Sequence, residues 1–317
     1  MAKIGYALSS EENSPNDLIR YAKLAEQIGF DFALISDHYH PWISHQGHSS
    51  FVWSVIGGIS QVTHRLSLGT GVTCPTVRIH PAIIAQAAAT AALMMPGRFF
   101  LGLGTGEALN EHILGCHWPP VEIRKEMLEE AVEILRLLWK GGKHSFRGRY
   151  YTVEEAQIFS LPPKPPPIVI AAAAANSAEM AGRIGEGLIS TVAQANLVTA
   201  FRSAGADKPC YGQVTVCWAE KEDTARQTAL EWWPVTAIPG KLMSELPTPG
   251  HFEQAVELVT EDAVAAKIVC GPDPSKHIEK INQFIEAGFD HVYVHQVGPN
   301  QEGFFRFYER EVLPRLD

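Results

Sequence analysis

Phe32-Ala33-Leu34-Ile35-Ser36-Asp37-His38-Tyr39-His40-Pro41-Trp42 is an apolar run that stops abruptly in an acid, two histidines and a tryptophan. In an α/β protein, a strand that ends this way delivers its last side chains to the mouth of a site. Asp37, His38 and Trp42 are therefore candidate site residues. Gly102-Leu103-Gly104-Thr105-Gly106-Glu107 ends a second apolar run in the same manner. The rest of the chain reads as scaffold that brings these two strand ends together.

Working outward from the first run, apolar strands alternate with amphipathic helices. Residues 4–8 read as a strand, and Ser14-Pro15 opens a helix whose inner face is Leu18, Tyr21, Ala22, Ala25 and Ile28, closed by Gly29. Strands follow at 32–36, 66–73 and 99–103, with a helix from His80-Pro81 between the last two and a long helix at 120–139 after them. Gly141-Gly142 then breaks the pattern, residues 146–151 suggest a small hairpin, and Pro162 to Pro167 form a stiff connector. Strands at 168–171, 187–190, 213–218 and 291–295 complete the set, each followed by a helical stretch. The Pro- and Gly-rich stretch 234–250, with two short helices up to 266, reads as an insertion or lid. Eight strand–helix units predict a (β/α)8 TIM barrel with insertions: one domain over 1–317, interrupted near 141–167 and 234–266. A doubly wound Rossmann sheet is the competing topology.

With 317 residues, 46% hydrophobic and 19% charged, the composition is that of a globular protein. A net charge of -9 without clustered Lys or Arg excludes a nucleic-acid or anionic-membrane surface. The start reads directly into a strand, so no signal peptide is expected, and no apolar run reaches the length of a membrane span. Five cysteines without a C-x-x-C fit reduced thiols in a cytoplasmic protein.

The glycines at 102, 104 and 106 do not fit G-x-G-x-x-G and lie at the fourth strand, so they are a poor nicotinamide fingerprint. They allow close approach of a flat ring or phosphate chain, or they make a plain turn. Glu107, directly after them, can act as an acid or base, or serve as a helix N-terminal acid. His38 and His40 form an H-x-H pair, as in metal-dependent barrel hydrolases. Those enzymes need further ligands at later strand ends, and residues 171–175 and 190–193 offer none, so no metal is expected. His38 is then a proton-transfer or hydrogen-bonding group beside Asp37. Trp42 can cover a substrate face, or be a rim aromatic. The alanines from 171 to 175 leave a small-residue surface that could admit a phosphate or extended tail.

Together, Ser36 to Trp42, Leu68 to Thr73, His80-Pro81-Ala82-Ile83-Ile84-Ala85-Gln86, Gly104 to Glu111 and the ending Leu313-Pro314-Arg315-Leu316 resemble the luciferase-like flavin and deazaflavin oxidoreductases. The closer likeness is to the branch of coenzyme F420-dependent glucose-6-phosphate dehydrogenases and secondary-alcohol dehydrogenases. That resemblance implies a barrel holding coenzyme F420 at its C-terminal mouth. Asp37 would contact the ring, and a non-proline cis peptide would fall at Gly71-Val72, with Thr73 beside it. Thr105, Gly106, Glu107 and Asn110 would line the ring. Ala172, Ala173, Ala174, Ser190 and Thr191 would meet the phosphate-bearing tail. His38, Trp42 and Glu107 match the catalytic positions, with either His38 or Glu107 as the base. The implied reaction is hydride transfer between an alcohol or sugar carbinol carbon and C5 of the deazaflavin. The resemblance also implies a homodimer. Gln194 and Ala265 stand where the sugar-phosphate branch has lysines, so an unphosphorylated alcohol, aldehyde or sugar is expected over glucose 6-phosphate. An FMN-dependent monooxygenase of the wider family is the alternative.

Overall fold

In a computed structural model, which describes residues 2–205 and 208–316, the chain forms a closed parallel barrel. Its strands are β1 Lys3–Leu8, β2 Phe32–Ile35, β3 Ser67–Thr70, β4 Phe99–Leu103, β5 Ile168–Ala171, β6 Gly187–Ser190, β7 Cys210–Cys217 and β8 His291–Gln296. Each pairs in parallel with the next, and β8 returns to β1 with Tyr6 opposite Val294. The eight-stranded closure is the expected (β/α)8 TIM barrel and excludes the doubly wound sheet, which stays open.

The main helices are α1 Pro15–Ile28, α2 Val52–Val62, α3 Pro81–Met94, α4 Val121–Leu138, α5 Ala175–Ile184, α6 Ala195–Gly205, α7 Glu222–Trp232 and α8 Pro274–Glu286. The boundary chemistry of α1 is the one read from sequence. Ser14 Oγ accepts the Asp17 N–H, Pro15 sits in the first turn, and Gly29 takes a left-handed φ of 106°. Helix α2 was not anticipated. Gly57, Gly58 and its β-branched residues are poor helix formers. Tertiary packing decides instead: Val52, Val55, Ile56 and Ile59 are buried, and a Cβ at Gly58 would lie 2.4 Å from Ile19 Cδ1 of α1. The helix forms because its apolar face has the α1 and α3 surfaces to cover.

Alternation along the strands separates two cores. Ile4, Tyr6 and Leu8 of β1, with Val292 and Val294 of β8, face the helices. Phe32, Leu34, Phe100, Val169, Ile189, Tyr211 and Tyr293 fill the barrel interior. Two excursions leave this frame. Strands His144–Arg147 and Thr152–Ala156 make an antiparallel hairpin after α4. After α7 come the short helical pieces Pro234–Ala237, Leu242–Glu245, Pro249–Ala255 and Glu261–Ala265, and then Val269–Cys270 pairs in parallel with Val216 and Cys217 at the end of β7.

Candidate active site

The polar groups of interest sit just past the C-terminal ends of β1 to β4 and β8. After β1 the run Ser9-Ser10-Glu11-Glu12-Asn13 is polar yet buried throughout. Such a run survives only if its groups are paired. Glu11 accepts from Ser9 Oγ at 3.0 Å and Ser36 Oγ at 2.6 Å, and its Oε1 lies 3.4 Å from His38 Nε2. Burial alone would raise the Glu11 carboxyl. Attraction to His38 and the Ser36 hydrogen bond outweigh it and hold the group below the usual glutamate range.

His38 is fixed from its other side as well. Its Nδ1 is 3.2 Å from the His40 carbonyl oxygen, so Nδ1 carries the hydrogen and donates. Its ring stands 4.9 Å from that of Trp42. Trp42 is buried with Leu109, Val235, Ile238 and Phe252, so the excursion after α7 forms one wall of the site. The Trp42 N–H donates to Gln46 Oε1, and Gln46 Nε2 donates to the Trp232 carbonyl, both at 2.9 Å.

Glu107 stands half-buried at the start of the short helix Ala108–Glu111. Asn110 ties it to the β2 loop. Its Oδ1 accepts the Tyr39 N–H at 2.8 Å and the His40 N–H at 3.2 Å, while Nδ2 lies 3.4 Å from Glu107 Oε2. The loops carrying His38 and Glu107 are thus held together by one side chain.

Asp37, expected at the ring, is held by two neighbouring side chains. It is 4% exposed, with Oδ2 accepting from Thr73 Oγ1 at 2.7 Å and Oδ1 from Arg78 Nη2 at 2.8 Å. Arg78 also meets Glu111 Oε1 at 3.4 Å, and Glu111 Oε2 accepts the backbone N–H groups of Val77 and Arg78. Burial pushes the Glu111 carboxyl up, against the pull of those donors and the guanidinium. Arg78 therefore pins three loops, those after β2, β3 and β4, at one buried point.

The peptide Gly71-Val72 is cis, where the resemblance implied it. A Cβ on Gly104 would lie 2.6 Å from Val72 Cγ2 and 3.6 Å from Ala171 Cβ, so Val72, Gly104 and Ala171 form a continuous surface. Gly106 has φ 77°, and a Cβ there would meet Cys74 Sγ at 2.4 Å. Only glycine fits that bend. Thr105 lies half-buried between these two glycines. Ala172 is buried, Ala173 and Ala174 are exposed, and Ala172 N donates to the Ile189 carbonyl at 2.9 Å. That bond brings them beside Ser190, which is buried, and Thr191, which is exposed. These five form a second group around the barrel from the His38–Glu107 cluster. Ala174 stands at the N-terminus of α5 with no side-chain cap.

Sequence reasoning missed Glu11, Glu12, Arg78, Glu111, Trp233 and His295. Glu12 Oε2 lies 2.7 Å from His295 Nε2 and Oε1 accepts the Gly298 N–H at 2.8 Å; Trp233 stands edge-on to His295 at 4.5 Å. A usable signal existed for two of them. Glu11 and Glu12 directly follow an apolar strand, as Asp37 and His38 do. Among the described residues, no group of three or more His, Cys, Asp or Glu is disposed to hold a metal ion, and no helix is long and apolar enough to cross a membrane.

Known proteins resemble this chain over nearly its whole length. The family model for luciferase-like monooxygenases matches residues 1–291. The F420-dependent glucose-6-phosphate dehydrogenase of Microbacterium testaceum is 36% identical over 327 residues, covering 99% of this chain and 97% of that protein. The F420-dependent glucose-6-phosphate dehydrogenase 2 of Rhodococcus jostii is also 36% identical, over 99% of this chain and 97% of its own length. Among solved structures, an F420-dependent secondary alcohol dehydrogenase in complex with an F420-acetone adduct superposes with a TM-score of 0.90 at 28% identity, over 98% of both chains.

Proposed function

We propose that this chain, which belongs to the luciferase-like monooxygenase family, is a coenzyme F420-dependent oxidoreductase that moves a hydride between the carbinol carbon of an alcohol or sugar and C5 of the deazaflavin. The observation that carries the reading is the clustering of His38, Trp42 and Glu107 beside a side-chain-poor floor. His38 and Trp42 are in ring contact, and Asn110 ties Glu107 to their loop. The residues fit such a cofactor. Val72 packs directly on Gly104 beside Ala171, a surface low in side-chain bulk that suits a flat ring. Ala172 to Ala174, beside Ser190, Thr191 and the uncapped start of α5, leave free backbone N–H groups suited to a phosphate-bearing tail. Asp37, Gly71, Val72, Thr73, Thr105, Gly106 and Asn110 shape the ring site, Asp37 by holding Arg78 and Thr73 rather than through a free carboxylate.

When bound, coenzyme F420 supplies a two-electron hydride acceptor. The protein's task is the proton that leaves the substrate hydroxyl as the hydride departs from the adjacent carbon. His38 takes it at Nε2. Its Nδ1 hydrogen is committed to the His40 carbonyl, so the nitrogen left to take a proton is Nε2, which faces Glu11 Oε1. Glu11, 3.4 Å away, stabilises the imidazolium that forms. Glu107 holds the remaining polar contact at the substrate or ring edge, and Trp42 excludes water and orients the substrate.

The substrate we assign is an unphosphorylated alcohol or sugar. Gln194 is exposed and Ala265 half-buried where the sugar-phosphate branch is expected to carry lysines. A phosphate dianion without such partners binds weakly. Glucose 6-phosphate is the second reading, favoured by the names of the 36%-identical relatives. We place the protein in the cytoplasm, in keeping with five free thiols. We also read it as a homodimer through α2 and α3, whose outer faces expose Phe51 just before α2 and Ile83, Leu93 and Met94. The test is a fluorescence titration with F420 beside FMN and NADP, followed by kinetics on alcohols, glucose and glucose 6-phosphate. Binding of F420 alone and turnover of alcohols or sugars support the assignment. Binding of FMN in its place refutes it.

A further inference from the structure

The buried pair Glu12–His295 has no part in the chemistry above. His295 lies at the C-terminal end of β8. Alternation places it inside the barrel: Val292 and Val294 face the helices, while Tyr293 belongs to the interior cluster. His295 is therefore the next interior residue above Tyr293, at the level of the mouth. It is 3% exposed. Glu12 is a carboxylate and only accepts, so the 2.7 Å contact puts the hydrogen on His295 Nε2. Glu12 is itself locked by the Gly298 N–H. That leaves His295 Nδ1 as an acceptor, and it has no hydrogen-bond partner. A buried acceptor left unpaired is costly, and a donor is missing.

His295 also belongs to the wall around the reacting groups. A closed chain of contacts runs from Trp42 through Gln46 to Trp232, from its neighbour Trp233 to His295, and from His295 to Glu12. The adjacent Glu11 leads on to His38, and His38 returns to Trp42. His295 thus stands in the same ring of residues as His38 and Trp42.

We propose that His295 Nδ1 accepts a hydrogen bond from a second hydroxyl of the substrate, making His295 a specificity-determining residue and Glu12 its positioning residue. This rests on the oxidoreductase reading and sharpens its substrate class. A simple alcohol has one hydroxyl, and that one is engaged at His38. Only a polyhydroxylated substrate, a sugar or polyol, fills both positions.

The experiment is steady-state kinetics with F420 on glucose and its monodeoxy analogues, in the wild type, His295→Gln and His295→Asn. Cofactor titration first establishes that each variant is folded. Glutamine can keep the Glu12 contact but places nothing at Nδ1; asparagine places its amide near Nδ1 and gives up Glu12. In the wild type, one deoxy analogue is expected to lose about tenfold in kcat/KM, chiefly through KM, the worth of one buried hydrogen bond. H295Q is expected to erase that difference and H295N to retain part of it. A flat deoxy series in the wild type, or a series unchanged in H295Q, overturns the proposal while leaving the oxidoreductase reading intact. Absence of any F420-dependent turnover on alcohols and sugars overturns both. A wild-type series that can be judged without either variant keeps the test decisive if the variants fail to fold.

Discussion

Replacing Arg78 by alanine is the sharpest test of how the site is built. The guanidinium is 7% exposed and faces two carboxylates that are 1% and 0% exposed, Asp37 at 2.8 Å and Glu111 at 3.4 Å. At an effective dielectric of about 20, attraction across the shorter contact is about 6 kcal/mol before desolvation is subtracted. Removing one member of a buried pair costs about 3–5 kcal/mol, because the remaining charge stays buried without its partner. Here two charges are stranded, but each keeps donors: Thr73 on Asp37, and two backbone N–H groups on Glu111. We therefore expect R78A to lose about 4 kcal/mol, and R78K to recover about half, since an ammonium cannot span both acids as the fork does. The assay is urea unfolding followed by tryptophan fluorescence at pH 8 and pH 5. The pH arm has a definite sign. Glu111 is already raised in the fold, so its protonated form is the favoured one. Stability from that preference is present below the unfolded pKa and is lost as pH rises through the folded value. Without Arg78 the folded value rises further, so the deficit of R78A is smaller at pH 5 than at pH 8. A deficit under about 1 kcal/mol at pH 8, well below the buried-pair cost, refutes the reasoning.

Other outcomes follow from the same structure. His38→Ala and Glu107→Gln are each expected to lower turnover about 10²–10⁴-fold while the protein still titrates with F420; a variant keeping a tenth of the wild-type rate removes that residue from the mechanism. His277, held neutral at about 4 by burial, bonds Tyr308 and the Gly271 carbonyl. The unfolded chain takes up its proton near 6.5, so stability falls as pH drops from about 6.5 to 4, by about 3 kcal/mol. His277→Gln flattens that slope in acid unfolding curves, and an unchanged slope counts against the assignment. Ile83→Glu, on the exposed face of α3, is expected to shift sedimentation from dimer to monomer; a wild type that already sediments as a monomer rejects the interface. Gln194→Lys with Ala265→Lys is expected to raise kcat/KM for glucose 6-phosphate by at least about tenfold over glucose, each charge-assisted contact being worth about 1.5–3 kcal/mol. No change in that ratio places the phosphate elsewhere.

Much of this molecule is legible in the chain because strand burial is a local pattern. Phe32 to Ile35 and Phe99 to Leu103 are unbroken apolar runs, and strands buried on both faces read that way. The caps of α1 are equally local, since Ser14, Pro15 and Gly29 act within a turn of their own backbone. Helix α2 was hidden because its stability is not local: two glycines argue against it, and the packing of Gly58 on Ile19 decides for it. The same division runs through the site. His38, Trp42 and Glu107 announce themselves by ending apolar strands. Arg78 does not, because its partners lie 41 and 33 residues away and only the barrel brings them within reach. His295 reads as one more alternate residue of β8 until Glu12, 283 positions distant, is seen beside it.

Glu11 and Glu12 are neighbours in the chain, yet one turns to His38 and the other to His295. Both carboxylates face an imidazole Nε2, at 3.4 Å for His38 and 2.7 Å for His295, but a second contact sets the tautomer of His38. His38 has its Nδ1 hydrogen tied to a carbonyl and presents Nε2, whereas His295 has its Nε2 hydrogen tied to Glu12 and presents Nδ1. Each ring is left with one acceptor nitrogen, and each packs against a tryptophan, His38 on Trp42 and His295 on Trp233. On the proposed reading, such a site would recognise hydroxyl groups by hydrogen bonds rather than phosphates by charge. A site built to hydrogen-bond a substrate hydroxyl rejects the analogue that lacks it more strongly than an apolar pocket rejects an extra methylene, because the buried acceptor is then left unpaired. Loss of the expected cations at Gln194 and Ala265 therefore need not mean loss of discrimination. On the proposed reading, discrimination would move from one charged end of the substrate to the pattern of hydroxyls along it.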